Sequence, residues 1–175
     1  MRTQARPLAA FSLTVATALA VSACGGGEDT TAEAAAESEE LTVSHAQGET
    51  AVPVDPLKVV DFDVGVLSTL DSLGGEGAGG PEATYPESLA RYSGDEYAKV
   101  GSLFEPDYEA VNALEPDLIV VGGRSAAVYP ELAEIAPTID LTVDNQDFLA
   151  SFEERVSTLA EVFGEEDVVA DRLAA

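Results

Sequence analysis

"EPDYEAVNALEPDLIVVGGR", residues 105–124, holds a helix, a stop, a strand and a glycine pair in twenty residues. Asp107 stands where a side-chain oxygen can cap a short helix. Pro116 ends that helix, because proline has no N–H to donate and clashes with the preceding turn. "DLIVV" then reads as a buried strand, and Gly122-Gly123 break it. After the glycines, "AAVYPELAEIAP" reads as a helix and "TIDLTV" as a strand. "NQDFLASFEERVSTLAEVFG" reads as a long amphipathic helix. In it Phe148, Phe152, Val156, Leu159 and Phe163 recur at spacings of three and four and share one face. "EEDVVADRLAA" opens a further helix.

Upstream, "LTVSHAQGETAVPV" is a hairpin signal, with Pro53 and Pro56 confining its second strand to an edge or an end. "KVVDFD" followed by "VGVLSTLDSLG" is a strand-to-helix unit closed by Gly74. Residues 74–83, "GGEGAGGPEA", read as a flexible low-complexity stretch. A short helix is expected at 86–92, and a turn at Ser93-Gly94. Strands alternating with helices imply an α/β fold built on a parallel sheet.

The chain has 175 residues and one cysteine, with 33 acidic residues against 8 basic and a formal net charge of −25. A nucleic-acid binder needs clustered Lys and Arg, so that class is excluded. No nucleophile elbow, phosphate loop or dinucleotide fingerprint is present. His45 is the only histidine and lies in the hairpin, so no soft-metal site is expected. The reading is of a binding protein, not an enzyme, with no cofactor and no resident metal. The N-terminus has its own logic. Arg2 and Arg6 precede the apolar "PLAAFSLTVATALAVSA", and "VSAC" places small residues before Cys24. This resembles a lipoprotein signal, which implies removal of residues 1–23 and a lipid on Cys24. Residues 24–40 are Gly-rich and then acidic, and read as a flexible tether.

In an open α/β sheet, ligands bind beyond the carboxyl ends of the strands. Two junctions qualify: Asp63-Val64-Gly65, and Gly122-Gly123-Arg124-Ser125. Glycine lets a ligand approach the backbone, and the helix that follows is expected to offer free N–H groups. Arg124 adds a planar cationic fork. On chain chemistry alone, two readings of Arg124 stand: an ion pair with one of the many carboxylates, or an anion contact. Tyr85, Tyr92 and Tyr97 either line a cleft or staple a loop.

Three stretches together resemble one family: "HAQGETAVPVDPLKVVDFDVGVLSTLDSLG", "YAKVGSLFEPDYEAVNALEPDLIVVGGR" and "ELAEIAPTIDLTVDNQDFLASFEERVSTLAEVFG". In order, they are similar to the N-terminal lobe of the iron-siderophore substrate-binding lipoproteins of ABC importers. The nearest likeness is to the petrobactin-type, catecholate-binding branch. The motif "VGS-x-x-EPDYE-x-x-x-x-x-PDLI" is shared with cobalamin and haem binders of the same class. The resemblance implies two α/β lobes joined by a helical backbone, with the ligand between them. It implies that residues 41–146 form the N-terminal lobe, and that 147–175 form a helical segment leading towards a C-terminal lobe absent from this sequence. It implies that Arg124, with Gly123, Gly65 and Val64, contacts a ferric siderophore, and that Glu109 docks on the importer permease. The implied protein is a monomer anchored on the extracytoplasmic face of the membrane through Cys24. The alternatives are a cobalamin- or haem-binding relative and a nucleotide-using α/β enzyme. The Gly-rich stretch departs from the family, whose members continue a short strand there.

Overall fold

The computed structural model describes residues 39–174. Cys24, the signal segment and nearly all of the tether lie outside them. A hairpin of β1 (Glu40–His45) and β2 (Gly48–Pro53) comes first, paired antiparallel about a turn at Ala46-Gln47. Five parallel strands follow: β3 (Val59–Asp61), β4 (Gly77–Gly80), β5 (Ala98–Lys99), β6 (Leu118–Val121) and β7 (Thr138–Asp140). Their order in the sheet is β5-β4-β3-β6-β7. The α/β, parallel-sheet reading holds.

The helices are α1 (Val64–Ser72), α2 (Tyr108–Ala113), α3 (Tyr129–Leu132), α4 (Phe148–Phe163) and α5 (Glu166–Leu173). Alternation of side chains along each strand divides the core between two faces. Val59, Leu118, Val120 and Ile139 pack with Val66 and Leu70 of α1 and with Val156 and Leu159 of α4. Val60, Phe62, Ile119 and Val121 pack with Val111 of α2 and Leu132 of α3. Burial of both faces is why the strands read as unbroken apolar runs. The stripe expected on α4 is largely confirmed. Val156 and Leu159 are buried, Phe152 and Phe163 lie half-buried against them, and Phe148 is exposed and stacks on Phe152 with ring centroids 6.0 Å apart. Gly164 closes α4 in the left-handed conformation. No helix among the described residues is long and apolar enough to cross a membrane.

The Gly-rich stretch corrects an expectation. Residues 77–80 are β4, paired on both sides between β3 and β5, and not a flexible loop. The reason is close packing. A Cβ on Gly80 would meet the Tyr97 hydroxyl at 2.2 Å and the Asp61 carbonyl at 2.6 Å. On Gly77 it would meet Tyr97 at 2.9 Å, and on Gly79 it would meet Leu114 at 2.8 Å. These glycines therefore make room for neighbouring side chains, and the expected departure from the family disappears.

The shared motif has a physical basis as well. Gly101 has φ +87°, and a Cβ there would meet backbone at 2.5 Å. Ser102 Oγ accepts from the N–H groups of Phe104 and Glu105. Asp107 accepts from the Ala110 N–H at 3.0 Å and so caps α2 as expected.

Candidate functional site

All five parallel strands end on one edge, and both candidate junctions lie there. After β3, Asp63 leaves the strand and becomes the N-cap of α1. Its Oδ1 accepts from Gly65 N–H at 2.7 Å and Val66 N–H at 3.1 Å. The amides of this junction are therefore already engaged. Gly65 is exposed and Val64 half-buried. Beneath them Asp61 is buried. Its Oδ1 accepts from Asp63 N–H at 2.6 Å, and its Oδ2 has no partner. Burial pushes the Asp61 carboxyl well above the usual carboxylate range; the Asp63 N–H bond and the nearby Arg155 guanidinium pull the other way, and less strongly.

The second junction also differs from expectation. The residues after Gly122 form a short 3-10 helix, Gly123–Val128, followed by the four-residue α3, where one α-helix was expected. Pro130 lies just inside α3, where its fixed φ is tolerated and its missing N–H costs nothing. The amides expected to be free are taken. Gly122 N–H donates to Ser125 Oγ at 3.0 Å, and Gly123 N–H donates to Thr142 Oγ1 at 2.8 Å. Thr142 passes the chain on, donating to Asp140 Oδ1 at 2.5 Å, while Gln47 Nε2 donates to Asp140 Oδ2 at 2.9 Å. Gly123 has φ +54°, a conformation that favours glycine. A Cβ on Gly122 would meet Asp63 Oδ2 at 2.7 Å, so the two junctions are in contact.

Arg124 follows directly, exposed at the start of this fixed turn. Among the described residues, no carboxylate lies within ion-pair distance of it. The ion-pair reading therefore finds no partner here. The N–H groups of Gly65, Val66, Gly122 and Gly123 add little positive potential to this edge, because side-chain oxygens occupy them. The guanidinium supplies it.

A second arginine was missed. Arg155 on α4 is half-buried, with its guanidinium 5.4 Å from the centre of the Phe152 ring. A Cβ on Gly65 would lie 3.6 Å and 3.8 Å from its two terminal nitrogens, so it reaches the first junction. The signal was present: Arg155 stands three residues after Phe152 and four before Leu159, on the apolar stripe itself.

The tyrosines form a buried staple. Tyr85, Tyr92 and Tyr97 are all buried, and the Tyr92 and Tyr97 rings meet edge-on at 4.9 Å. Lys99 lies over Tyr85 and Tyr97 and donates to the Tyr92 carbonyl; its burial lowers its pKa. His45 is a packed strand residue. Its Nδ1 accepts from Gln47 N–H at 3.2 Å, so Nε2 carries the proton and donates to Thr50 Oγ1 at 2.9 Å. Glu109 is exposed in the first turn of α2, away from these junctions in sequence. Its charge there favours the helix N-terminus.

The family model described as periplasmic binding protein matches residues 59–173. The chain belongs to that family. The petrobactin-binding protein YclQ of Bacillus subtilis is 40% identical over 173 residues, covering 97% of this chain and 55% of that protein. The crystal structure of YclQ superposes with a TM-score of 0.75 at 44% identity, covering 78% of this chain and 49% of that one. The periplasmic catecholate-siderophore binding protein VctP of Vibrio cholerae gives a TM-score of 0.75 at 37% identity, covering 78% of this chain and 50% of that one. The chain thus spans about half the length of the relatives it matches, and its fold is that of one lobe of these binding proteins.

Proposed function

We propose that this lobe forms one wall of a cleft that captures a ferric siderophore outside the cytoplasm and hands it to an ABC importer. The observation that carries the reading is Arg124: an exposed guanidinium with no carboxylate within ion-pair distance among the described residues, on a turn fixed by Gly123, Thr142 and Asp140, at the strand carboxyl edge. A ferric tris-catecholate is trianionic, and a planar cationic fork suits its oxygen shell. The names of YclQ and VctP support a catecholate ligand. At physiological salt, screening beyond ~8 Å limits repulsion by the acidic surface, so local cations decide the contest.

Gly123, Gly65 and Val64 shape the floor of this wall. Gly123 and Gly65 do not donate to the ligand, since their N–H groups are spent internally. Capture is non-covalent. Glu109 docks on the permease. Cys24, outside the described residues, carries a lipid that holds a monomer at the membrane, with residues 24–40 as tether. Fractionation tests the anchor: Cys24→Ala should move the protein from the membrane to the soluble fraction, and retention in the membrane would contradict it. The test of capture is retention of a ferric tris-catecholate by the chain in equilibrium dialysis, and its dependence on Arg124.

A further inference from the structure

Arg155 is a second guanidinium at the strand carboxyl edge. Its stem lies on the buried stripe of α4, and its terminal nitrogens reach over Gly65 at the start of α1. That is a poor place to leave a cation. The first turn of a helix is the positive end of its dipole, and the Asp63 carboxylate that offsets it is engaged by the Gly65 and Val66 N–H groups and forms no ion pair with Arg155.

The partners that would explain Arg155 structurally are missing among the described residues. No carboxylate is within ion-pair distance, although the chain has 33 acids. Its Nε is buried without a hydrogen-bond partner. Asp61 feels its charge without pairing, and burial outweighs Arg155 in setting the titration of that carboxyl.

The surroundings on the Gly65 side add a second observation. A groove of about 440 Å³ runs between α1 and α4–α5 from Gly65, lined by Ser68, Thr69, Phe152, Arg155 and Arg172 among others, and by no acid. On the other side, a cavity of about 330 Å³ is lined by Arg155, by Thr142 and Asp140, which hold Gly123 in place, and by Asp144 and Glu154. Arg155 therefore stands between the two junctions, with an acid-free groove on its Gly65 side and carboxylates outside ion-pair distance on the other.

We propose that Arg155 is a second anion contact of this half-cleft and selects ferric chelates by their negative charge. The inference rests on the chelate-binding reading of Arg124 and extends it to a residue on another element. The ligand chemistry is the same: the anionic oxygens of a catecholate or carboxylate chelate.

The test uses the chain itself, iron(III) tris-catecholate as probe, and equilibrium dialysis at several salt concentrations. Arg155→Met keeps the stem packed on Phe152 and removes the charge; Arg155→Lys keeps the charge and loses the fork. Arg155→Met should weaken binding about tenfold or more at low salt. It should also flatten the salt dependence, because one screened attraction is gone. Arg155→Lys should restore the salt dependence and part of the affinity. Unchanged affinity in Arg155→Met, or a loss with the salt dependence intact, would overturn the assignment as a merely structural effect. Binding that falls in Arg124→Gln but not in Arg155→Met refutes this inference alone. No binding by the unaltered chain refutes both readings.

Discussion

Gly80→Ala is the sharpest test of how this lobe is put together. The added methyl would sit 2.2 Å from the Tyr97 hydroxyl, 3.0 Å from its Cζ and 2.6 Å from the Asp61 carbonyl. Each distance is well inside van der Waals contact. Tyr97 has little room to retreat, because it is 4% exposed and wedged against Tyr85 and Tyr92. The Asp61 carbonyl belongs to β3, the central strand, which leads directly into the Asp63 cap. Neither neighbour yields without disturbing the tyrosine staple or the site edge. The cost therefore falls at the upper end of the overpacking range, about 3 kcal/mol. For a domain of this size that lowers the melting temperature by about 10 °C. Gly94→Ala is the control. Gly94 has an ordinary φ of −76°, and its nearest contact is the Arg91 carbonyl at 3.5 Å. It should change stability by less than about 0.5 kcal/mol. Thermal melts by circular dichroism on the two variants decide the matter. A Gly80→Ala melt matching that of Gly94→Ala would refute the packed-strand account of residues 77–80.

Three further outcomes follow from the same geometry. Thr142→Val removes the acceptor for Gly123 N–H and the donor to Asp140, so it should cost about 1 kcal/mol of stability and weaken ferric tris-catecholate binding. Thr142→Ser should recover both in melts and dialysis, and equal binding by the valine variant would contradict a role in holding the Arg124 turn. Asp61 has a folded pKa raised by burial, so the folded state holds its proton more tightly than the unfolded one, and stability falls as pH rises from about 4. Asp61→Asn should therefore raise the melting temperature at neutral pH, with the gain fading towards pH ~4; a gain independent of pH would show that the carboxyl is not the cause. Glu109→Gln should leave chelate binding intact and reduce importer-dependent iron uptake in cells, and undiminished uptake would dismiss the docking role.

Much of this architecture is legible in local chemistry. Asp107, Pro116 and "DLIVV" specify α2, its end and β6 within fifteen residues, because capping, proline stops and apolar runs act over short distances. Gly77–Gly80 defeat the same logic. Glycine carries no apolar signal, and its reason for being in the sheet, the Tyr97 ring, lies many residues later. The edge shows the same division. Gly122-Gly123-Arg124 announce a junction, but the acceptor that engages Gly123 is Thr142, on the next strand's exit. Arg155 was visible only as an interruption of an apolar stripe. That it meets Gly65 depends on how α4 lies over α1, which no local pattern encodes.

The most direct test of the central claim is equilibrium dialysis of iron(III) tris-catecholate against the chain and its Arg124→Gln variant, with folding verified by circular dichroism. The account predicts that the chain retains the chelate and that the variant binds it about tenfold or more weakly, the loss of a charged hydrogen-bonding fork. Failure of the chain to retain the chelate, or equal retention by the variant, would contradict it.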